Sequence, residues 1–240
     1  MKEINSGVSD ISVVLPSYNE RENIAEAIGR LSQAVGERLL EIIVVDDNSP
    51  DETWKIVEEM HHPKVRLIRR LNEKGLASAL AHGVAEAKGD IIVWMDCDLG
   101  LPPEDVPRLI EGLKEADVVI GSRYAPGGSD MRHWSRVFIS KVFNLYARFL
   151  LGFYARDYTS GFIAVKKKVT DAVSWRKEGF GEYFAEFVYK AHKQGFKVAE
   201  VGYVYTYRKS GSSKLDTGLW GLCKVAIPYG LRILKIRLGR

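Results

Sequence analysis

The sequence predicts an α/β protein with a mostly parallel sheet flanked by helices on both faces. Three observations carry this. Short apolar runs alternate along the first half with amphipathic stretches of helical period, the signature of repeated strand-helix-strand units. Three of those runs break off into polar turns: Leu15 into PSYNE, Val45 into DDNSPD and Met95 into DCDLG. The 240 residues, 46% hydrophobic and 28% charged, have the proportions of a globular chain able to bury a core of its own.

Taken in order, Ile11 to Leu15 is a strand stopped by Pro16. RENIAEAIGRLSQAV sets Ile24, Ile28 and Leu31 at helical spacing. Ile42 to Val45 repeats the strand and ends in Asp46 and Asp47, with Asp51 the expected N-cap of a helix over Trp54 to Met60. KVRLIRR is a third strand; NEKGLASALAHGVAEAKGD is a turn, a small-residue helix and a closing Gly89. Next comes IIVWMDCDLG, Ile91 to Gly100, a buried strand whose carboxyl end delivers Asp96 and Asp98. Strand alternation places these acids on one face and turns Cys97 away. PPEDVPRLIEGLKEA is a helix opened by prolines, and DVVIGSRY a further strand.

The second half differs in character. Trp134 to Gly152 is apolar around most of a helix, yet Arg136, Lys141, Asn144 and Arg148 interrupt it. Such charges disfavour spanning a membrane and leave two readings: a helix lying in the membrane interface, or one packed on the domain or a second subunit. ARDYTSGFIAVKK is a loop and a strand, Phe162 to Val165; EGFGEYFAEFVYKAHKQG is a helix, and KVAEVGYVYTY one alternating strand. From Thr217 to Arg240 the tail carries Lys224, Arg232, Lys235, Arg237 and Arg240 among apolar residues such as Trp220, with no acid. That suits an anionic lipid surface or a C-terminal helix docked on its own domain, split by Pro228.

Sheets of this kind bind ligands at the carboxyl ends of their strands. One crevice should therefore collect Pro16 to Glu20, Asp46 to Asp51 and Asp96 to Gly100. Two neighbouring carboxylates repel unless a cation lies between them, and hard oxygen donors suit Mg²⁺ or Mn²⁺, which also take substrate phosphates. The alternative for Asp96 and Asp98 is a turn in which Asp merely caps. No GxGxxG follows the first strand and no Walker loop is present, so a dehydrogenase-type or P-loop nucleotide site is excluded. The net charge of +4 is too small to argue for nucleic acid. Cys97 and Cys223 show neither metal-ligand spacing nor a disulfide framework, and MKEINSGVSD lacks the apolar core of a signal peptide. A reducing, cytoplasmic setting is expected.

VVLPSYNE, IIVVDDNSPD, EKGLASAL, IIVWMDCDLGLPPE, VIGSRY, DYTSGF and RKSGSSKL, in this order, resemble family 2 glycosyltransferases of the GT-A fold, in particular the dolichyl-phosphate mannose synthases and their bacterial polyprenyl-phosphate relatives. The resemblance runs from Ile11 to Leu215. It implies a catalytic domain over 1–215, with 134–152 an amphipathic interfacial helix, and a basic, apolar C-terminal extension over 216–240 on the acceptor side. It implies that Pro16, Tyr18, Glu20, Asp47 and Lys74 hold the donor nucleotide, and that Asp96 and Asp98 carry Mg²⁺ or Mn²⁺. Arg208 and Lys214 would close over the diphosphate. Arg123 and Arg136, with Ser160, would take the acceptor phosphate, and Arg123 is the foremost catalytic candidate beside the two acids. Asp157 would orient sugar hydroxyls or the arginines, or cap a turn. Taken singly, Glu20 also reads as an exposed acid, Lys74 as solvated surface and each arginine as a surface ion pair.

The activity so implied is inverting transfer of mannose from GDP-mannose to a dolichyl or polyprenyl phosphate. A UDP-glucose or other donor, a glycan acceptor and a non-catalytic nucleotide-sugar binding module are the alternatives. A nucleotidyltransferase is disfavoured because PSYNERENI, not a glycine-rich loop with Arg, follows the first strand. The expected partners are a membrane surface, on its cytoplasmic face, and a small membrane subunit or a second copy. One departure stands out: members of the group have Gln two residues after the second acid, where this chain has Gly100, which predicts a functional but weaker metal site.

Overall fold

The computed structural model describes residues 9–176, 181–206 and 229–238. The elements run β1 (Ile11–Ser17), α1 (Ile24–Val35), β2 (Leu39–Asp46), α2 (Thr53–Glu59), β3 (Val65–Arg69), α3 (Leu76–Glu86), β4 (Ile91–Trp94), α4 (Val106–Gly112), β5 (Val118–Ser122), β6 (Ser129–Asp130), α5 (Trp134–Leu151), β7 (Ile163–Lys166), α6 (Lys167–Ala172), α7 (Glu182–Lys193), β8 (Val198–Gly202) and β9 (Val204–Tyr205). Residues 229–237 are helical as well.

The main sheet has the order β3-β2-β1-β4-β7-β5-β8. Every pairing is parallel except those of β7, which runs antiparallel to β4 and β5. The mostly parallel sheet of the sequence reading is therefore present. Alternate residues feed two cores. Val14, Ile43, Val45, Trp94, Ile120 and Ile163 face α3 and α7, while Val13, Leu15, Ile42, Val44 and Val93 face α1 and α4. Burial on both sides is why these strands read as unbroken β-branched runs. Because β1, β2 and β4 are parallel, their trailing turns emerge at one edge.

Several boundaries differ from expectation. Gly89 does not close α3, whose flanking residue is Ala87 in extended conformation. It lies where the chain crosses under β1: its N–H donates to Ser12 Oγ (2.9 Å), and a Cβ there would stand 2.6 Å from Ser12 N. The glycine serves close approach of two backbones. The prolines open only a 3₁₀ turn, Pro103–Asp105, before α4 begins at Val106 and ends at Gly112. Asp51 Oδ1 accepts from the Thr53 N–H (3.0 Å) as a cap should, but Glu52 intervenes in left-handed conformation (φ 62°). KVAEVGYVYTY is two strands. β8 closes the main sheet, and after Tyr203, which is packed edge-on against Phe162 (5.5 Å between centroids), β9 pairs with β6 in a separate ribbon. The short helix α6 had no apolar periodicity to announce it.

α5 occupies the range expected of it and faces outward. Of its residues Asn144, Ala147 and Leu151 are buried, whereas Trp134, Phe138, Val142, Leu145 and Phe149 are exposed, a stripe at helical spacing. The 229–237 helix docks beside it. Ile233 and Ile236 are buried, Tyr146 donates to the Gly230 carbonyl (3.1 Å), and Arg232 pairs with Glu186 of α7 (2.7 Å). For this part of the tail, docking on its own domain is the reading observed. Thr217 to Pro228 and Cys223 lie outside the described residues.

Candidate active site

The turns after β1 and β2 are laced into one unit. Asp46, fully buried, accepts from Ser17 Oγ (2.7 Å), Ser49 N (2.8 Å) and Ser49 Oγ (2.7 Å). Asn19 N–H donates to Ser49 Oγ (3.0 Å) and Glu20 N–H to Thr53 Oγ1 (3.0 Å). Half-buried Tyr18 and Glu20 are thereby fixed at the sheet edge. Asn23 Nδ2 donates to the Glu20 carboxylate (2.8 Å), and the Pro16 carbonyl accepts from the Cys97 thiol (3.3 Å), tying this unit to the DCDLG turn.

Asp47 is held by a residue the sequence reading missed. The register that sets Asp46 against Arg69 places the next residues, Asp47 and Arg70, side by side. Arg70 donates to Asp47 Oδ1 through Nε (2.7 Å) and Nη2, and the Gly75 N–H donates to Oδ2 (2.7 Å). Arg70 also donates to the Gly75 carbonyl (3.0 Å) and Ser78 Oγ (2.9 Å). The pair shapes the turn that presents Lys74, whose ammonium lies 5.5 Å from the centre of the Tyr18 ring. Lys74 and Tyr18, both nominated for the donor, are thus brought together. The one available signal for Arg70 was an arginine directly after a strand, the signal that picked out Arg123.

β4 ends at Trp94, so Asp96 and Asp98 sit in an irregular turn and strand alternation does not orient them. That turn includes Leu99 in left-handed conformation (φ 60°). Cys97 does turn inward, into the α1/α4 core. Burial, and after it the charges of Glu20, Asp96 and Asp98, push its thiol pKa well above the ordinary value. Asp98 is 3% exposed and its Oδ1 accepts the Gly100 N–H (2.9 Å). Among the described residues no cluster of three or more His, Cys, Asp or Glu forms a metal cage. Asp96 and Asp98, two residues apart on this turn, nevertheless offer hard oxygen donors that fit Mg²⁺ or Mn²⁺, which keep several waters and complete their shell with substrate phosphates.

On the other flank, Arg123 follows β5 and is clamped. It donates to Asp157 through Nε (2.8 Å) and Nη2 (2.7 Å), and to Thr159 Oγ1 (2.6 Å); Asp130 is 3.6 Å from Nη1. Burial works against the Arg123 charge, but Asp157 outweighs it and the pKa ends well above the ordinary value. Burial likewise raises the Asp157 carboxyl, and Arg123 draws it below its usual range. Of the roles open to Asp157, two are observed together: it orients Arg123, and its Oδ1 caps the turn by accepting the Thr159 N–H (3.2 Å). A cavity of about 560 Å³ opens here, lined by Arg123, Tyr124, Asp130, Lys141, Arg148 and Arg156 among others. Lys141, Asn144 and Arg148, read in the sequence as interruptions of an apolar helix, share the α5 face that lines it. Arg136 lies half-buried in the first turn of α5, outside the lining. Ser160 turns its hydroxyl to the Gly121 carbonyl and supports the end of β5. Arg208 and Lys214 lie outside the described residues.

Residues 12–174 match the family described as Glycosyl transferase family 2. The dolichol-phosphate mannosyltransferase of Pyrococcus furiosus is 42% identical over 211 residues, which are 85% of this chain and 59% of that protein. This chain therefore spans less than two thirds of that relative. The undecaprenyl-phosphate mannosyltransferase of Micrococcus luteus is 34% identical over 244 residues, 95% of this chain and 99% of that protein. Among solved structures, glucosyl-3-phosphoglycerate synthase from Mycobacterium tuberculosis, in complex with Mn²⁺, UDP and phosphoglyceric acid, superposes with a TM-score of 0.73 at 21% identity, covering 95% of this chain and 78% of that one. The same synthase has been solved with Mg²⁺ and UDP. At that identity the likeness establishes the GT-A fold. The laced turns, the paired acids and the match across most of the sheet lead to one assignment: the chain belongs to glycosyl transferase family 2.

Proposed function

We propose that this protein transfers mannose from GDP-mannose to a polyprenyl or dolichyl phosphate with inversion at the anomeric carbon. One observation carries the choice of acceptor: the cationic cavity around Arg123, Lys141, Arg148 and Arg156 opens beside the exposed apolar stripe of α5. A phosphate on a long hydrocarbon chain needs both surfaces at once. The names of the Pyrococcus and Micrococcus relatives support the same reading.

The acceptor is a phosphate monoester with a second pKa near 6, so it is largely ionised at neutral pH and needs no strong general base. One of its oxygens bonds to C1 of the sugar while the bond from C1 to the donor diphosphate breaks, and the nucleoside diphosphate leaves with the electron pair. What the chain supplies is alignment of two mutually repelling anions. Asp157 fixes Arg123 so that its position is set before the acceptor arrives. Tyr18, Glu20 and the Asp47–Arg70 unit with Lys74 form the wall for the nucleotide. Asp96 and Asp98 would hold Mg²⁺ or Mn²⁺, which as a Lewis acid neutralises the departing diphosphate. Arg208 and Lys214 remain proposed partners of that diphosphate.

A neutral glycan hydroxyl would need a carboxylate base. The acids on the cavity side, Asp130 and Asp157, are instead paired with arginines, which disfavours that acceptor. Incubation with labelled GDP-mannose or UDP-glucose and a polyprenyl phosphate is the test. Label from GDP-mannose entering the lipid phase supports the synthase, label from UDP-glucose corrects the donor, and binding without turnover supports a binding module.

We further propose that α5 and the 229–237 helix rest on a membrane surface, with 1–215 the catalytic domain and 216–240 its extension; a small membrane subunit or a second copy would cover the same face. Among the described residues no helix is long and apolar enough to cross a bilayer. Phe138 and Phe149 are 62% and 78% exposed, and each contributes roughly 2 kcal/mol when buried in an apolar phase. The double variant Phe138→Glu/Phe149→Glu is expected to weaken flotation with anionic liposomes about 100-fold or more while nucleotide binding stays unchanged. Equal flotation of variant and parent would remove the membrane role of α5.

A further inference from the structure

Gly100 stands where the resemblance leads one to expect a glutamine, and the space such a side chain would enter is already filled. A Cβ at position 100 would lie 2.9 Å from the Tyr205 hydroxyl, 3.0 Å from its ring carbon Cζ and 3.1 Å from Asp98 Oδ1. The phenol oxygen and the Asp98 carboxylate oxygen therefore both lie close to one point. Tyr205 reaches it from a different part of the chain. It sits on β9, opposite Asp130 in the two-stranded ribbon, and the ribbon is joined to the turn by the Thr206 N–H donating to the Gly100 carbonyl (3.2 Å). Its ring is flanked by the guanidinium groups of Arg132 (4.9 Å) and Arg123 (6.0 Å). The residue thus spans the distance between the paired acids and the acceptor-side arginines.

We propose that the Tyr205 hydroxyl replaces the missing side chain at position 100 as the neutral oxygen facing the divalent ion, and that it orients a water ligand of that ion beside Asp98. Gly100 and Tyr205 form one compensating pair: the glycine leaves the space and the tyrosine fills it with an oxygen delivered from the second sheet. The proposal rests on the reading of Asp96 and Asp98 as a metal site and assigns Tyr205 a positioning role within it. It replaces the expectation of a weakened site with a site rebuilt from another strand. Ions of this kind bind through few carboxylates and several waters, so an oxygen that holds one water in place has leverage on affinity.

Tyr205→Phe removes the hydroxyl and keeps the ring. The readout is Mn²⁺ affinity measured by electron paramagnetic resonance with GDP present, beside GDP affinity measured without metal. The expected result is Mn²⁺ binding about 10-fold weaker in the variant, with metal-free GDP binding and melting temperature unchanged. Mn²⁺ affinity within twofold of the parent overturns the proposal. So does an equal loss of metal-free GDP binding, which would place the hydroxyl on the nucleotide itself. If the parent protein binds no Mn²⁺ with GDP, the metal reading of Asp96 and Asp98 falls first and takes this one with it.

Discussion

Asp98→Asn lowers sugar transfer about 10³-fold while leaving the fold in place. The size follows from removing a charge aimed at a leaving group that departs as a diphosphate, where one preorganised electrostatic partner is worth about 10² to 10³ in rate. Asn is the informative replacement because its Oδ1 can still accept the Gly100 N–H, the 2.9 Å contact that shapes the turn, so shape is retained and charge is lost. Asp98 is nearly fully buried, and a carboxylate at that depth gives up much of its hydration when ionised; the neutral, isosteric amide avoids that desolvation, so the variant's melting temperature should stay close to the parent's. The measurement is kcat at saturating Mn²⁺ together with a melting curve. Activity within tenfold of the parent would show that the turn is only a turn, the alternative reading of the DCDLG stretch.

Asp157→Asn has the largest expected effect on stability. Arg123 and Asp157 are 6% and 0% exposed, and removing one partner of such a pair leaves a buried charge uncompensated, at a cost of about 3 to 5 kcal/mol. For a domain of this size each kcal/mol lowers the melting temperature by about 2 to 4 °C, so a drop of roughly 10 °C is expected. The pH dependence has a definite sign. The folded-state pKa of Asp157 lies below its ordinary value, so its contribution is fully present above the unfolded carboxylate pKa of about 3.9 and is lost as pH falls through the folded value. The gap between parent and variant melting temperatures should therefore be constant from neutral pH down to about pH 4 and narrow below it. A gap that widens on acidification, or none at neutral pH, would contradict the pairing.

Much of this architecture was legible because the strands feeding the crevice are buried on both faces and end in polar turns, a contrast periodicity detects without knowing the topology. Tyr18, Asp96 and Asp98 were picked out as crevice candidates in this way, whereas Lys74 and the roles of all four came only from the family resemblance. What escaped depends on register. Arg70 meets Asp47 only because β2 and β3 align Asp46 with Arg69, and no local pattern encodes that alignment. The antiparallel course of β7 is equally silent, since an apolar run reads the same in both directions. Gly89 resembled a helix terminator because glycine serves both turns and close backbone approach. Lys141 and Arg148 were read as obstacles to membrane insertion; their second meaning, one wall of a cationic cavity, needed the loop carrying Arg156 and the clamp on Arg123 to be in place. Tyr205 looked like one more residue of an alternating strand until the chain was seen to change sheets at Tyr203.

A crystal of the protein with GDP and Mn²⁺, with data collected at the manganese absorption edge, reads the metal position directly. The expected anomalous peak lies between the carboxylates of Asp96 and Asp98 and touches the GDP diphosphate. GDP bound in the crevice with no manganese at those acids, or manganese held elsewhere, would contradict the metal-assisted departure of the nucleotide on which the proposed reaction depends.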